Sequence, residues 1–221
     1  MKKVLSVYVI AYLALLACVV GLLYAYPKLE LHLMLNSYHT SFLDSFFKYY
    51  SKLAEWPLYI LALLPLFWKR KEITLFYALC EVSGSVIIYV VKHIVRAPRP
   101  ISVFAHHPDM ALPVVQGVRL HHTNSFPSGH ASAFFVFFTC CALILAYQYK
   151  LSAEKDGRST WLPYSLLMLL MLAFAAVGGY SRIYLSQHFL ADVCMGSVIG
   201  VAIPFLIYCA GGKKMLNSKK G

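Results

Sequence analysis

Residues 123–149 read TNSFPSGHASAFFVFFTCCALILAYQY, and the polar triplet Ser128, Gly129 and His130 directly precedes nineteen almost wholly apolar residues. A run of this length is close to the roughly 20 residues that a helix needs to cross the hydrocarbon core of a bilayer. An imidazole at the start of such a helix needs a polar contact, because an unpaired polar group is costly to bury. The stretch therefore predicts a membrane-spanning helix whose first turn lies beside a polar site.

The composition of the whole chain agrees with a membrane protein. Hydrophobic residues make up 60% of the 221 residues and charged residues only 13%, well below the roughly 25% charged content of soluble domains. Apolar runs near spanning length recur along the chain. They predict an all-α, polytopic membrane protein with six transmembrane helices, at residues 4–26, 53–68, 73–95, 131–149, 161–180 and 189–210.

The first two runs have distinctive flanks. The first follows two lysines, as a signal peptide would, but it is too long for the core of one, so we expect a retained helix. The second is short and contains Pro57 and Pro65. The aromatic stretch before it, residues 41–53, predicts an amphipathic helix in the membrane interface. No repeat or low-complexity linker interrupts the sequence, so we expect a single helical membrane domain over residues 1–221.

The basic residues predict which way the chain crosses the membrane. Six spans place both termini on one side. The short segments on that side contain twelve basic residues, namely Lys2, Lys3, Lys69, Arg70, Lys71, Lys150, Lys155, Arg158, Lys213, Lys214, Lys219 and Lys220. Basic residues concentrate in cytoplasmic loops, so we expect cytoplasmic termini, and the net charge of +11 reflects topology rather than binding to nucleic acid. The long loop at about residues 96–126 is then extracytoplasmic, as are the helix ends next to it and the junction of the last two spans.

Three polar clusters fall on this extracytoplasmic face. The first is KHIVRAPRP, in which Lys92 and Arg99 repel each other unless an anion joins them, although basic residues snorkelling to lipid headgroups would also explain it. The second is PSGH, where Ser128 and the free N–H groups of a helix N-terminus form an anion site. Gly129 leaves room for a ligand to approach that backbone, and His130 follows on the first turn.

The third cluster is YSRIYLSQHFLADV, which contains Arg182 and, near the start of the last span, His188 and Asp192. Residues four apart share one helical face, so the Asp192 carboxylate can accept a hydrogen bond from one ring nitrogen and leave the other free to act as a nucleophile. An aspartate just inside a membrane span is costly, which favours a paired and functional role. Purely structural pairing is the alternative.

Together the clusters make a site for a tetrahedral oxyanion. Lys92, Arg99 and Arg182 supply donors that match phosphate oxygens. His188 can attack phosphorus, and His130 can protonate the departing oxygen and then activate water. No step requires a metal, because the cations stabilise the charge that Mg²⁺ neutralises in many other phosphoryl-transfer enzymes.

These residues resemble a known family. Lys-x6-Arg-Pro beginning at Lys92, Pro-Ser-Gly-His ending at His130, and Ser-Arg-x5-His-x3-Asp ending at Asp192 are similar to the three-part signature of the type 2 phosphatidic acid phosphatases, over about residues 55–210. The resemblance implies a metal-independent lipid phosphatase without a cofactor. It implies His188, His130 and Asp192 as catalytic residues, and Lys92, Arg99, Ser128, Gly129 and Arg182 as the phosphate pocket.

The resemblance leaves the substrate open among membrane lipid phosphates. Candidates are a lipid A phosphate, undecaprenyl diphosphate, phosphatidylglycerol phosphate and phosphatidic acid. The compact size and the lysine-flanked start favour a bacterial inner-membrane protein of envelope biogenesis, with its site facing the periplasm or exterior. Two other functions stay open: a phosphotransferase that passes the phosphoryl group to another lipid or sugar, and a non-enzymatic lipid or anion transporter, although transporters usually bind at the midplane between repeated halves.

Several other polar residues have no assigned role in this scheme. The paired histidines His106, His107, His121 and His122 lie in the long loop without the cysteine or glutamate that a zinc site would add, so we expect no metal there. A loop that contacts the substrate headgroup is an alternative to a plain solvated loop. Glu81 lies roughly 16 Å of helix before Lys92, too deep to touch the phosphate, and we expect it to pair with another helix or to mark a proton path.

Overall fold

The computed structural model describes residues 1–68, 70–156 and 161–217, and every regular element in those ranges is a helix. In chain order the α-helices are α1 (Lys2–Ala25), α2 (Lys28–Leu35), α3 (Ser41–Lys52), α4 (Pro57–Leu63), α5 (Lys71–Val95), α6 (Pro100–Phe104), α7 (Gly129–Asp156), α8 (Trp161–Tyr184), α9 (Leu190–Ile207) and α10 (Lys213–Asn217). A 3₁₀ helix at Leu64–Trp68 continues α4, and a π-helix at Tyr208–Gly212 continues α9. The prediction of an all-α protein is confirmed. Four residues of the topology prediction, Lys69, Arg158, Lys219 and Lys220, lie outside the described residues.

Five helical segments are long and apolar enough to cross a membrane: Lys2–Ala25, Lys71–Phe104, Gly129–Glu154, Trp161–Tyr184 and Leu190–Leu216. They correspond to the first and to the third through sixth predicted spans. The second predicted span is a shorter apolar helix, Pro57–Leu66. Counting the 3₁₀ turn to Trp68, this segment rises roughly 20 Å against a hydrocarbon thickness of about 30 Å. A membrane crossing by this second segment, which would bring the total to six, therefore stays a prediction.

The amphipathic helix predicted before this segment is present as α3. The Thr40 hydroxyl accepts a hydrogen bond of 3.2 Å from the Leu43 N–H and caps the helix. Phe47 packs on Tyr184 of α8, with ring centroids 4.4 Å apart, whereas Phe42 on the other face is 75% exposed. Helix α3 thus lies against the end of α8, so the polar residues of α3 also lie near that end.

Helix α7 lies at the centre of the bundle, packed against α5, α8 and α9. Two glycines of α9 allow close approach: a Cβ on Gly196 would lie 2.5 Å from the Ser128 carbonyl oxygen, and one on Gly200 would lie 2.7 Å from that of Ser132. Small residues four apart are typical of closely packed membrane helices. This contact brings the first turn of α9 to the start of α7, where the Ser128 N–H donates to the Asp192 carbonyl at 2.9 Å.

The long loop folds so that the end of α5 meets the start of α7. Its two ends run side by side, because the Arg99 N–H donates to the His122 carbonyl at 3.0 Å and the Ser125 N–H donates to the Ala97 carbonyl at 2.9 Å. Between them lies the single short helix α6. The end of α5, the start of α7 and the start of α9, which are distant in sequence, therefore lie at one end of the bundle.

The opposite end of the bundle holds both ends of the described chain. The Tyr208 hydroxyl donates to the Met1 sulfur at 3.2 Å, and the Thr74 hydroxyl near the start of α5 donates to the Ala62 carbonyl of α4 at 3.0 Å. Helix α4 and its 3₁₀ extension thus carry the chain from α3 back to the start of α5.

Candidate active site

The three polar clusters come together at the end of the bundle formed by α5, α7, α8 and α9. The Lys92 ammonium donates to the Asn124 carbonyl at 3.1 Å. The buried Arg99 guanidinium donates through Nε to the Thr123 carbonyl at 3.0 Å and through Nη1 to the Gln187 carbonyl at 3.1 Å. Backbone carbonyls of two other segments thus hold both cations in place. The clusters lie at the same end of the bundle, as the count of membrane spans predicted.

His188 and Asp192 form the predicted pair, and both are almost fully buried. The Asp192 Oδ2 atom lies 3.4 Å from His188 Nδ1 and accepts a hydrogen bond of 2.9 Å from the Phe189 N–H, which anchors it at the first turn of α9. A nitrogen that faces a carboxylate carries the proton, which leaves Nε2 as the basic nitrogen of the ring.

The environment of His188 keeps its ring neutral. Burial, together with the Arg99 and Arg182 charges, outweighs the opposing effect of Asp192 and lowers the pKa of His188 to about 3. At neutral pH the imidazole is therefore uncharged, and a neutral ring is the form that can attack an electrophile.

Ser125 is part of this arrangement, although sequence reasoning did not select it. Its hydroxyl donates to Asp192 Oδ2 at 2.5 Å and lies 3.4 Å from His188 Nδ1. Ser125 is fully buried. The only signal for it was its position three residues before Ser128, which does not separate it from an ordinary loop serine.

Ser128 and Gly129 form the start of α7. The fully buried Ser128 accepts a long hydrogen bond of 3.4 Å from the Ala131 N–H through Oγ, as a helix cap does. A Cβ on Gly129 would meet only the Ile88 side chain, at the ordinary distance of 3.7 Å. The space beside the backbone of Gly129 thus has room for a Cβ, and a role for this glycine in binding a ligand stays a prediction.

Arg182 lies in the last turn of α8 and is 8% exposed. It donates through Nη1 to the Ser51 hydroxyl of α3, while its Nε atom is buried without a hydrogen-bond partner among the described residues. A guanidinium with a spare donor in a concave site is suited to bind an oxyanion.

His130 faces a different neighbour from the other site residues. Its Nε2 atom lies 3.7 Å from the carboxylate of Glu55, which follows α3. Sequence reasoning missed Glu55 because it lies at the edge of an apolar run, where a single acid is unremarkable. An acidic side chain thus lies beside the histidine that the resemblance implies as the proton donor.

Two cavities open beside these residues. One, of about 370 Å³, lies between α3, the long loop and the first turn of α7, and its lining includes His130, Arg182 and Gln187. The other, of about 200 Å³, runs along α5 from Lys92 past Gly129 to Glu81. Of the candidate site residues, His130 and Arg182 thus line the first cavity, whereas Lys92 and Gly129 line the groove along α5.

The paired histidines of the long loop do not act as a unit. His122 contacts the Ser102 hydroxyl at 3.2 Å, and His106 contacts the Ser102 carbonyl at 2.9 Å. Only His121 among the four lines the larger cavity; partial burial and the Arg99 and Arg119 charges lower its pKa. Within the described part of the chain, no group of three or more His, Cys, Asp or Glu residues has the arrangement of a metal site.

Glu81 lies in the α5 groove, away from the phosphate candidates. Its carboxylate accepts hydrogen bonds of 3.3 Å from the Tyr59 hydroxyl of α4 and from the Ser85 hydroxyl. The expected partner on another helix is therefore Tyr59.

The chain is similar to a known family and to several known proteins. The family model of the PAP2 superfamily matches residues 73–216, a range that contains all eight candidate site residues. Among curated proteins, the chain is 28% identical over 169 residues to lipid phosphate phosphatase delta of Arabidopsis thaliana, covering 73% of this chain and 36% of that protein. It is 28% identical over 134 residues to decaprenylphosphoryl-5-phosphoribose phosphatase of Mycobacterium tuberculosis, covering 61% and 59%. The matches thus span less than two thirds of either relative.

Two solved structures have the same fold. Aquifex aeolicus LpxE superposes with a TM-score of 0.60 at 24% identity, over 84% of this chain and 97% of that one. A transmembrane PAP2-type phosphatidylglycerolphosphate phosphatase from Bacillus subtilis superposes with a TM-score of 0.63 at 22% identity, over 96% and 98%.

Proposed function

Because the chain belongs to the PAP2 superfamily, we propose that it is a membrane-bound, metal-independent phosphatase that hydrolyses the phosphate ester of a lipid. The observation that carries the proposal is the convergence of Lys92, Arg99 and Arg182 with His130 and the buried His188–Asp192 pair. The relatives support it, since both curated ones are named as phosphatases of lipid-linked phosphates.

In the first step, Nε2 of His188 attacks phosphorus. A P–N bond forms as the P–O bond to the leaving group breaks, and His130 gives its proton to the departing oxygen. Asp192 holds the ring so that the attacking nitrogen is unprotonated, and Lys92, Arg99 and Arg182 stabilise the charge on the three equatorial oxygens.

In the second step, His130 takes a proton from a water molecule that attacks the same phosphorus. The P–N bond breaks, inorganic phosphate leaves, and His188 returns to its neutral form. The cations that stabilise the first transition state serve the second in the same way, because charge again lies on the equatorial oxygens.

The substrate proposal follows from the membrane setting. We propose one domain over residues 1–221 that crosses the bacterial inner membrane six times, with cytoplasmic termini and the site at the outer headgroup level. A lipid A phosphate, undecaprenyl diphosphate and phosphatidylglycerol phosphate would all reach such a site from the bilayer. One structural neighbour, the phosphatase from Bacillus subtilis, is named for one of these substrates, phosphatidylglycerolphosphate.

Phosphate release from lipid substrates tests the proposal. Protein purified in detergent is expected to release inorganic phosphate in the presence of EDTA, and His188→Ala is expected to abolish release, because the attacking nitrogen is lost. His93→Ala is the matched control, since His93 is an exposed histidine near the end of the same helix as Lys92. Persistent release by His188→Ala, or loss of release in EDTA, would contradict the mechanism.

A further inference from the structure

The position of His130 indicates where the leaving group lies. In the proposed reaction His130 protonates the departing oxygen, so the group attached to that oxygen must lie on the His130 side of the phosphate. His130 lines the 370 Å³ cavity beside α3, whereas Lys92 and Gly129 line the separate groove along α5. The larger cavity is therefore the space next to the scissile bond on the leaving-group side.

This cavity is more cationic than one phosphate requires. Besides Arg182 it is lined by Lys48, Lys52 and Arg119, which lie outside the three motifs, and the only carboxylate among its lining residues in the described chain is Glu55. Four cations and one anion give a formal charge of +3 with neutral histidines. Like charges gathered in a cavity repel one another until an anion enters, so the lining favours an anionic occupant.

Lys48 comes from α3 and Arg119 from the long loop, and a hydrogen bond ties the ammonium of the first and the backbone of the second. The Lys48 ammonium donates to the Gln116 carbonyl of the long loop at 3.2 Å, which leaves two of its three protons for a ligand. The Gln187 side chain donates to the Arg119 carbonyl at 3.0 Å, and the Gln187 carbonyl also accepts from Arg99. The backbone of Arg119 is thereby tied to the residue that positions a phosphate-site arginine.

We propose that this cavity binds a second anionic group, carried by the leaving group, through Lys48, Lys52 and Arg119. The preferred substrates are then lipids whose headgroup has a second phosphate next to the scissile one, with a diphosphate as the simplest case. For a diphosphate, His188 forms the P–N bond to the terminal phosphorus, the bond from that phosphorus to the bridging oxygen breaks, and the lipid monophosphate leaves with the proton from His130. The proposal rests on the proposed function.

Binding of inorganic anions tests the second site without turnover. Full-length His188→Ala protein is titrated calorimetrically with pyrophosphate and with orthophosphate. Pyrophosphate is expected to bind at least about tenfold more tightly, because only it places a second charge among these cations. Adding Lys52→Gln and Arg119→Gln should remove that advantage and leave orthophosphate affinity within about twofold, whereas Lys71→Gln, a lysine at the far end of α5, should change neither.

The charge argument also predicts an effect of opposite sign. Removing the one carboxylate, by Glu55→Gln, should tighten pyrophosphate binding by several-fold, since it makes the cavity more positive. Equal affinity for the two anions, undetectable binding of both, or equal loss for both in the Lys52→Gln, Arg119→Gln protein would overturn the proposal.

A matched pair of lipid substrates separates this proposal from the proposed function. Phosphate release by the wild-type chain is measured with farnesyl diphosphate and farnesyl monophosphate. The second-anion site predicts at least a tenfold higher kcat/KM for the diphosphate, reduced to near parity in the Lys52→Gln, Arg119→Gln variant with monophosphate turnover retained. Similar kcat/KM values for the two substrates would overturn the second anion site alone. If neither substrate releases phosphate while the protein still binds pyrophosphate more tightly than orthophosphate, the phosphatase function alone is overturned.

Discussion

Asp192 accepts two hydrogen bonds besides the contact with the imidazole that it faces. Ser125 and the Phe189 N–H both donate to Oδ2, and such bonds stabilise the ionised carboxylate. Because one oxygen serves Ser125, Phe189 and His188 together, the angle of the imidazole depends on where Ser125 holds the carboxylate. Ser125 is therefore a positioning residue in the proposed mechanism.

Ser125→Ala is expected to lower kcat by about 10- to 100-fold with little change in KM, because a hydrogen bond to a charged group is worth roughly 1.5–3 kcal/mol and the phosphate cations stay in place. Phosphate release at varied substrate concentration measures both constants. Ser125→Thr, which keeps the hydroxyl, should restore most of the rate, and Ser37→Ala, at an exposed serine that donates to the Met34 carbonyl, should have no effect. A rise in KM at unchanged kcat, or no rescue by threonine, would argue against positioning.

The candidate site could be predicted from the sequence only in part. His188 and Asp192 lie four residues apart in the sequence. Lys92, Arg99 and Ser128 fall in short motifs, and counting the spans predicts that these motifs lie on the same side of the membrane. Ser125, Glu55 and the lining residues Lys48 and Arg119 could not be found in this way. They come from α3, the turn after it and the long loop, and only the packing of those segments on α7 and α8 determines which polar residues meet the site.

At the level of helices, the contact between α7 and α9 decides whether the site is assembled. Gly196 has room for no side chain, because its Cβ would lie 2.5 Å from the Ser128 carbonyl oxygen and 3.1 Å from the Ala131 Cβ. Both of these atoms belong to the first turn of α7 or to its cap, so any shift that relieves the clash moves Ser128 away from Asp192.

Gly196→Ala is therefore expected to destabilise the protein by about 1–3 kcal/mol, as overpacking does, and to lower phosphatase activity by more than tenfold. Thermal unfolding in detergent and phosphate release measure the two effects. Gly21→Ala is the matched control, because a Cβ at this helical glycine of α1 would meet nothing within 4 Å. Equal behaviour of the two variants would mean that the α7–α9 contact does not control the site.

Helix assignment from the sequence succeeded for the long apolar runs and was less exact for short segments. Helix α2, Lys28–Leu35, was not predicted, because eight residues of mixed polarity carry too weak a periodic signal. The segment after α3 was predicted to continue to residue 68 as a span, but α4 ends at Leu63 and Pro65 lies in a 3₁₀ helix. Proline removes a backbone donor, which explains why regular α-helix does not continue there.

For the molecule as a whole, the short segment from Pro57 to Trp68 determines the topology. If it crosses the bilayer, the chain crosses six times and the two ends of the protein lie on one side. If it does not, five crossings place them on opposite sides. The contact between Met1 and Tyr208 favours six crossings, since it brings the start of α1 and the end of α9 together at the end of the bundle away from the site.

Single reporter cysteines distinguish these topologies in a bacterial host, after replacement of the six native cysteines by alanine. With six crossings, Lys2→Cys and Lys213→Cys react with a membrane-impermeant maleimide only after the cells are permeabilised, whereas Asp109→Cys, in the exposed long loop, reacts in intact spheroplasts. Opposite behaviour of Lys2→Cys and Lys213→Cys would mean five crossings. If Lys2→Cys and Lys213→Cys both react in intact spheroplasts while Asp109→Cys is protected, the long loop lies on the cytoplasmic side. The site would then face the cytoplasm, because the cavity that His130 lines opens between α3 and the long loop. Periplasmic lipid phosphates would be excluded as substrates.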